Sequence, residues 1–583
     1  MSDEQSSAQH IAAPVATTTA VRPAADDRDG WRAYWRSTGA QWRIEPEVPA
    51  DRQAFLAERR VLIPNVALGV YPFAGVALTR ADVEWLLAAH EDGRGPIDWE
   101  DAAQRTRPGL DLRGADLRRV SLRGLPLARC RMGLAGGSEE QIAAGVAHLE
   151  GADLRGVRLE GADLRHVHLE GANLQHAWLR EADLSGARLD RVTAHGAHLE
   201  NADLHRASLA GAHLREAALS GADLREVQGR GAILREAGLE GARLGKADLG
   251  QADLSDAHAE GAQLREANLA NARLSAIHLD GANLSFASLH GANLEAAVLS
   301  GCNLDAAHLE GANLYGAHLE GRKLAADDLQ RIRRGQREDV IAEILPPASA
   351  RGACCDHMTN LRHMTPGDPT GGYISMADLI WGGANLAIVN WAGGGDGQIG
   401  SVMLGDEREA RRARTPDGRK KDRTLRIKEY EAAVRANRQL AVALQGQGMN
   451  EEAAAFAYRA QTLRRQVLRR QGPRKRGAYL FSLFLDGLAG YGYRPMRTLA
   501  WYIGLVLAFA ALYYGVGLSH APHLRWYEAL VVSLTAFHGR VFSEGFHPGD
   551  PQGIAAAIEA VSGLLIEASF IATFTQRFFG SGK

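Results

Sequence analysis

Cysteine is scarce in this 583-residue chain, which has four: Cys130, Cys302, Cys354 and Cys355. They make no disulfide framework and point to a reducing compartment. The first thirty residues hold no apolar run and no basic n-region, so 1–30 reads as a disordered tail and not a signal peptide. No Ser/His/Asp motif or nucleotide loop stands out, so no enzymatic activity and no cofactor is expected. The glycine run at 393–395 lacks a Gly-Lys-Ser/Thr ending and a following helix. Cys354, Cys355, Asp356, His357 and His363 cluster in "CCDHMTNLRH". Adjacent cysteines chelate poorly, however, and no second pair completes a tetrahedral site, so no metal is expected either. The length allows roughly two to four domains. A formal net charge of -2 hides a strong segregation of charge along the chain.

What is present is a repeat. From Ala147 the sequence runs in blocks of five, "AHLEG ADLRG VRLEG ADLRH", with 35 consecutive blocks centred from Leu149 to Leu319. Leucine holds 32 of the 35 centres, and alanine holds 29 of the 35 positions two residues earlier. A shorter run (Leu112, Leu117, Leu122, Leu127, Met132) precedes an interruption at 133–146. A period of five fits neither an α-helix nor a strand. The chain must turn a corner every five residues, with Leu and Ala inward.

This pattern resembles the pentapeptide-repeat family, whose block is Ala-Asp/Asn-Leu-X-X. The resemblance implies a mainly β fold, a right-handed quadrilateral β-helix with about twenty residues per coil. Nine coils at the spacing of paired strands would make a rod on the order of 40 Å long. Some family members mimic DNA and protect topoisomerases. Here 147–321 holds 25 Asp and Glu against 15 Lys and Arg, with 13 His. The bases alternate with the acids, so no uniform acidic face emerges and nucleic acid is not the expected partner.

The domain order follows. After the tail, 31–108 is an N-terminal cap, with Trp31, Trp35, Trp42, Tyr71 and Phe73 as a small core and a helix starting at Thr79 with Asp82 three residues on. The repeats occupy 109–330. A C-cap, beginning as the helical segment "LAADDLQRIRRGQREDVIAEIL", and an irregular β extension fill 331–421; "ADL" and "ANL" recur there seven residues apart. Residues 422–476 form a basic helical hairpin, weakly similar to a tetratricopeptide hairpin. Its tail carries Arg469, Arg470, Arg474, Lys475 and Arg476, and no acid occurs from Ala453 to Leu485.

The remainder, 477–583, reads as a membrane module. Residues 499–518 are 20 uncharged residues with aromatics towards both ends, which suits a transmembrane span. Arg494, Arg497 and the basic tail place its start in the cytoplasm. The preceding "AYLFSLFLDGLAGYGYRPMR", interrupted by Asp486, reads as interfacial. A second span at 554–575 contains Glu559 and Glu567, which with Gly563 form one helix stripe, expected to turn towards partners. Between the spans, a short helix at 526–537 is too short to cross. Two spans framing a short helix and a polar loop resemble the two-transmembrane potassium-channel pore module. That resemblance implies four subunits around a pore and a carbonyl filter after the short helix. The loop residues would be Ser533, Thr535, Phe537, His538, Gly539 and Arg540. The filter's Tyr-Gly-Asp is absent, and His538 and Arg540 stand where an uncharged ladder would run, which leaves anion preference, weak selectivity and no conduction open.

The expected protein is therefore a two-span membrane protein, in a bacterial inner membrane if the family resemblance holds. Its β-helical rod would be cytoplasmic and its C-terminal module ion-channel-like. The expected partners are the lipid bilayer, further copies of the chain, an unidentified cytoplasmic protein and a permeant inorganic ion. The alternatives are a non-conducting tethered scaffold and a soluble DNA mimic that protects a topoisomerase.

Overall fold

The computed structural model describes residues 21–321, 348–361, 364, 366–368, 372–389, 391, 403–415, 418–518, 523–540 and 550–578. The expected cap helix at 324–345, the glycine run at 393–395 and His363 lie outside these residues. The chain falls into two compact units, 1–218 and 219–583.

The geometry of one corner explains the five-residue block. The second residue past each central leucine adopts a left-handed backbone: Gly161 has φ 62°, and the angle persists where the residue is His166 (59°), Glu236 (57°) or Ala276 (54°). Glycine enters this region without a Cβ conflict, which accounts for the frequent "LEG". The Asp or Asn before the leucine closes the same turn by accepting the N–H two positions on. Asp183 accepts from Ser185 and Asn283 from Ser285, both at 3.1 Å. The inward Leu and Ala positions are almost fully buried along both units, and Cys130 and Cys302 take the small inward position.

Parallel bridges join residues twenty apart, as in His148 with His168 and Asp253 with Arg273, so four blocks make a coil. Each face contributes single bridged residues, and the expected β character lies in these ladders. Among the described residues, extended strands are limited to β1 (Gly367–Asp368) and β2 (Gly372–Tyr373).

In the first unit, the cap starts earlier than its aromatic cluster suggests. Helix α1 (Arg28–Ser37) is capped by the Asp27 side chain, and Trp31 Nε1 donates to Ala24 O at 2.9 Å, which draws residues from the expected tail into the fold. Helix α2 spans Ala50–Arg60. Helix α3 (Arg80–Ala88) has the reciprocal Thr79–Asp82 cap and buries Val83, Leu86 and Leu87. Arg80 Nη1 donates to Arg123 O at 2.9 Å, and the Phe73 and Leu78 N–H groups donate to Arg113 O and Asp116 O. These bonds cover the polar edge of the first coil, which would otherwise template aggregation. The interruption is an insertion at one corner. Across it Asp116 bridges His148, 32 residues on, where the bridges from His148 to His318 join residues twenty apart. Its helix α4 (Glu139–Gly145) presses Gly145 against Tyr71, whose hydroxyl donates to Gln141 O at 3.2 Å.

In the second unit, the coil continues beyond the repeat that the sequence shows. Ser349, Cys354 and Asn360 bridge Asn303, His308 and Asn313, and Ser375 and Ile380 bridge Ser349 and Cys354 in turn. The five-residue frame runs through Ile374, Leu379, Ala384 and Val389 at the small position, all buried, with Met376, Leu386 and Trp391 as buried centres. The "ADL" at 377–379 is out of frame, which is why this stretch reads as irregular.

Helix α5 (Gly405–Arg411) and the hairpin of α6 (Arg423–Gly446) and α7 (Asn450–Gln471) close this end. Asp406 accepts the N–H groups of Met376 (2.6 Å) and Ala377 (3.0 Å). Gln447 accepts from Leu386 N at 2.7 Å, and Gln439 accepts from Asp378 N at 2.9 Å. The hairpin thus serves as an end cap, satisfying backbone groups of the last rung.

Candidate membrane module and its buried carboxylate

Among the described residues four α-helices follow: α8 (Arg476–Ala489), α9 (Pro495–Gly517), α10 (Trp526–Phe537) and α11 (Pro551–Phe578). Met496–Val516 and Pro551–Ile571 are each 21 residues with mean hydropathy 1.8, long and apolar enough to cross a membrane. Both helices begin a few residues before the stretches read from hydropathy, because a proline opens each first turn without losing a hydrogen bond. The short helix has the bounds that the sequence suggests. Leu507, Leu512, Ile558, Val561, Leu564 and Ile571 point outward and are exposed. Apolar side chains at such density on a surface mark contact with lipid or protein.

The two carboxylates of α11 point the other way. Glu559 is 0% exposed. Its Oε2 accepts from the Tyr513 hydroxyl at 2.8 Å, and its Oε1 meets the Ser533 hydroxyl at 2.5 Å. Ser533 Oγ also lies 2.8 Å from Val506 O. One turn on, Gly563 lies so close to α10 that a Cβ would sit 2.1 Å from Phe537 O. A turn further, Glu567 Oε1 pairs with His538 Nε2 at 3.3 Å, while His538 Nδ1 donates to Leu534 O at 2.8 Å. The whole Glu559–Gly563–Glu567 stripe therefore faces α10 of the same chain. If α11 crosses a membrane, a carboxylate placed this way is kept from lipid by partners on both oxygens.

The structure divides the expected loop residues between the short helix and its terminus. Ser533, Thr535 and Phe537 are helical, and Thr535 Oγ1 donates back into its own helix. His538 and Gly539 end the helix: Gly539 N donates to Ala536 O and Arg540 N to Thr535 O, both at 2.9 Å, with Gly539 at φ 72°. This is a glycine-closed helix terminus of the Schellman type. The helix persists because Phe537 is buried against Val506 and Ile566. Of the six residues, only Arg540 lies beyond the cap, and it is exposed; Val541 and Phe542 fall outside the described residues.

The basic residues divide into two kinds. Arg469, Arg474, Lys475, Arg476 and Arg494 are exposed, while Arg470 stacks over the Tyr430 ring at 4.3 Å. Arg497 is part of a joint that sequence reasoning missed. Asp486 of α8 pairs with Arg465 of α7 (2.6 Å) and Arg497 of α9 (3.3 Å) and accepts from the Tyr458 hydroxyl (2.8 Å). Burial alone would raise its carboxyl, but the hydrogen bonds from Arg465 and Tyr458 and the charges of Arg465 and Arg497 outweigh it. They hold the group below the ordinary aspartate range. In the sequence Asp486 only interrupts an apolar run, and its partners lie 21, 11 and 28 residues away, so no local pattern reveals them.

Eight copies of the pentapeptide-repeat family model match between residues 147 and 321. Similar solved structures include HetL, a pentapeptide repeat protein involved in heterocyst differentiation regulation from Nostoc sp. strain PCC 7120 (28% identity, 46% of this chain and 93% of that one, TM-score 0.21). A pentapeptide repeat protein of the Arabidopsis thaliana thylakoid lumen is 28% identical over 17% of this chain and 74% of its own, with a TM-score of 0.14. The plasmid-mediated fluoroquinolone resistance protein QnrB1 is 15% identical over 45% and 96%, with a TM-score of 0.18. No curated protein matches the chain. Residues 147–321 are thus pentapeptide repeats, a family that implies a right-handed β-helix, and the chain carries two further helices long and apolar enough to span a membrane.

Proposed function

We propose that residues 477–583 form a channel-like membrane module, assembled from several copies, whose cytoplasmic repeat domain binds a partner or regulates the pore. The observation that carries this reading is the seating of α10 between the two span helices, with Ser533 and Tyr513 converging on buried Glu559. A tether needs two apolar helices and a linker. It has no use for a short helix held against both spans by a desolvated carboxylate, which is costly to bury. The exposed apolar faces of α9 and α11 then meet lipid and neighbouring copies.

The glycine-closed end of α10 favours a second reading. Its last carbonyls are occupied by the N–H groups of Gly539 and Arg540, and a pore helix that directs its dipole at an ion keeps such carbonyls free. On this reading the module is a non-conducting anchor for a scaffold. A soluble, topoisomerase-protecting role is a third reading, and association with the membrane fraction separates it from the other two.

Ion flux into liposomes decides between the first two. Purified protein is reconstituted, and potassium and chloride gradients are tested separately. Flux that changes in Arg540→Ala supports a pore lined at its mouth by Arg540. Unchanged flux removes Arg540 from the pathway, and inserted, folded protein without flux favours the anchor.

A further inference from the structure

The coil surface carries a second kind of chemistry, outside the membrane module. In a β-helix, the residue before each central leucine sits beside its equivalent on the next coil, about 4.8 Å away. His258 and His278 occupy such a pair, bridged and with ring centroids 4.9 Å apart. Glu260, two residues after His258, turns back so that its Oε1 lies 3.3 Å from His258 Nδ1. The three ligand atoms lie within 4.8 Å of one another. His278 Nδ1 is buried without a hydrogen-bond partner, and among the described residues no other imidazole nitrogen is in that position.

The same arrangement occurs at His148, Glu150 and His168. There Glu150 Oε1 lies 3.1 Å from His148 Nδ1 and 3.5 Å from His168 Nδ1. A tetrahedral ion bound at about 2.0–2.1 Å by nitrogen and oxygen requires ligand–ligand edges of about 3.3 Å, which these distances bracket. At a third place cysteine replaces the second histidine. His308 Nδ1 is 3.2 Å from Glu310 Oε1, and Cys354 is the bridged residue on the next rung.

We propose that these stacked His-X-Glu triads each bind a divalent transition-metal ion of the zinc class. Imidazole is a borderline ligand suited to zinc, which also accepts a carboxylate oxygen beside it, and a thiolate at the third place strengthens that preference. Three protein ligands leave one coordination position open to water or to a group from another molecule. For the two histidine pairs the sequence contains the signal, as a histidine twenty residues beyond His-X-Glu, visible once the register is known. Cys354, the bridged partner of His308, lies outside that register and only the fold brings it there. The repeat also supplies a control. His198 pairs with Glu200 at 3.6 Å, but its bridged neighbour on the next coil is Ala218.

Equilibrium dialysis of the chelator-stripped, full-length protein in detergent against Zn²⁺ tests the assignment. Three equivalents should bind. His148→Ala, His278→Ala and Cys354→Ser should each lose about one, and His198→Ala should lose none. Thermal melts of the stripped proteins establish that each variant is folded. With Co²⁺, the thiolate charge-transfer band should vanish in Cys354→Ser alone. A folded variant that keeps all of the wild-type zinc overturns its triad. A wild-type protein that takes up no zinc at micromolar concentration, or a His198→Ala that loses as much as the others, overturns the proposal.

Discussion

At the corner after each central leucine, a Cβ costs about 1–2 kcal/mol, because the left-handed backbone brings it against a carbonyl oxygen. Residues at this position therefore divide by whether glycine is present. Gly161 has φ 62°, and a Cβ there would also sit 2.6 Å from the Trp99 ring. Gly161→Ala should thus destabilise by more than the backbone cost alone, seen as a lowered Tm. Ala276, at φ 54°, carries the same cost without glycine's relief, and Ala276→Gly should raise stability by about 1 kcal/mol. A fall in Tm for Ala276→Gly would mean that the corner is not left-handed at that block.

At the level of elements, the joint at Asp486 ties the helical hairpin to α8 and α9. Its carboxyl is held below the ordinary range, so the contribution to stability is complete above the unfolded value of about 3.9 and is lost as pH falls through the lowered folded value. Asp486→Asn should cost about 1–3 kcal/mol near neutral pH. The gap from wild type should narrow as the medium is acidified below about pH 4. Equal gaps at pH 7 and pH 3 would show that the carboxylate charge is not what holds the joint. The interruption at 133–146 and the hairpin teach a related lesson. Both read in sequence as breaks or separate modules, and both serve the coil, one packing Gly145 on Tyr71 and the other capping the last rung through Gln439 and Gln447.

For the whole molecule, the two proposed spans and the basic residues before the first of them predict an orientation. If both helices cross, the two chain ends lie on one side, and positive charge places that side in the cytoplasm. Tags at the two ends should then both be protected in right-side-out vesicles and both be digested in inverted ones. Ends on opposite sides would mean that a single helix crosses, which would remove the basis for a pore.

The sequence by itself determined the blocks centred from Leu149 to Leu319 in each unit. There each block repeats the same inward pair and the same corner, so local chemistry specifies the conformation five residues at a time. It also determined the two long apolar helices and the short one between them, because composition and length suffice for those. It did not disclose the later rungs through Trp391, where an out-of-frame "ADL" hides the register. Nor did it disclose the end-capping hairpin, the Asp486 joint, the glycine-closed terminus at His538 and Gly539, or the facing of the Glu559 stripe towards α10. Each of those depends on which distant backbone groups and side chains need a partner once the chain has folded, and only tertiary packing decides that.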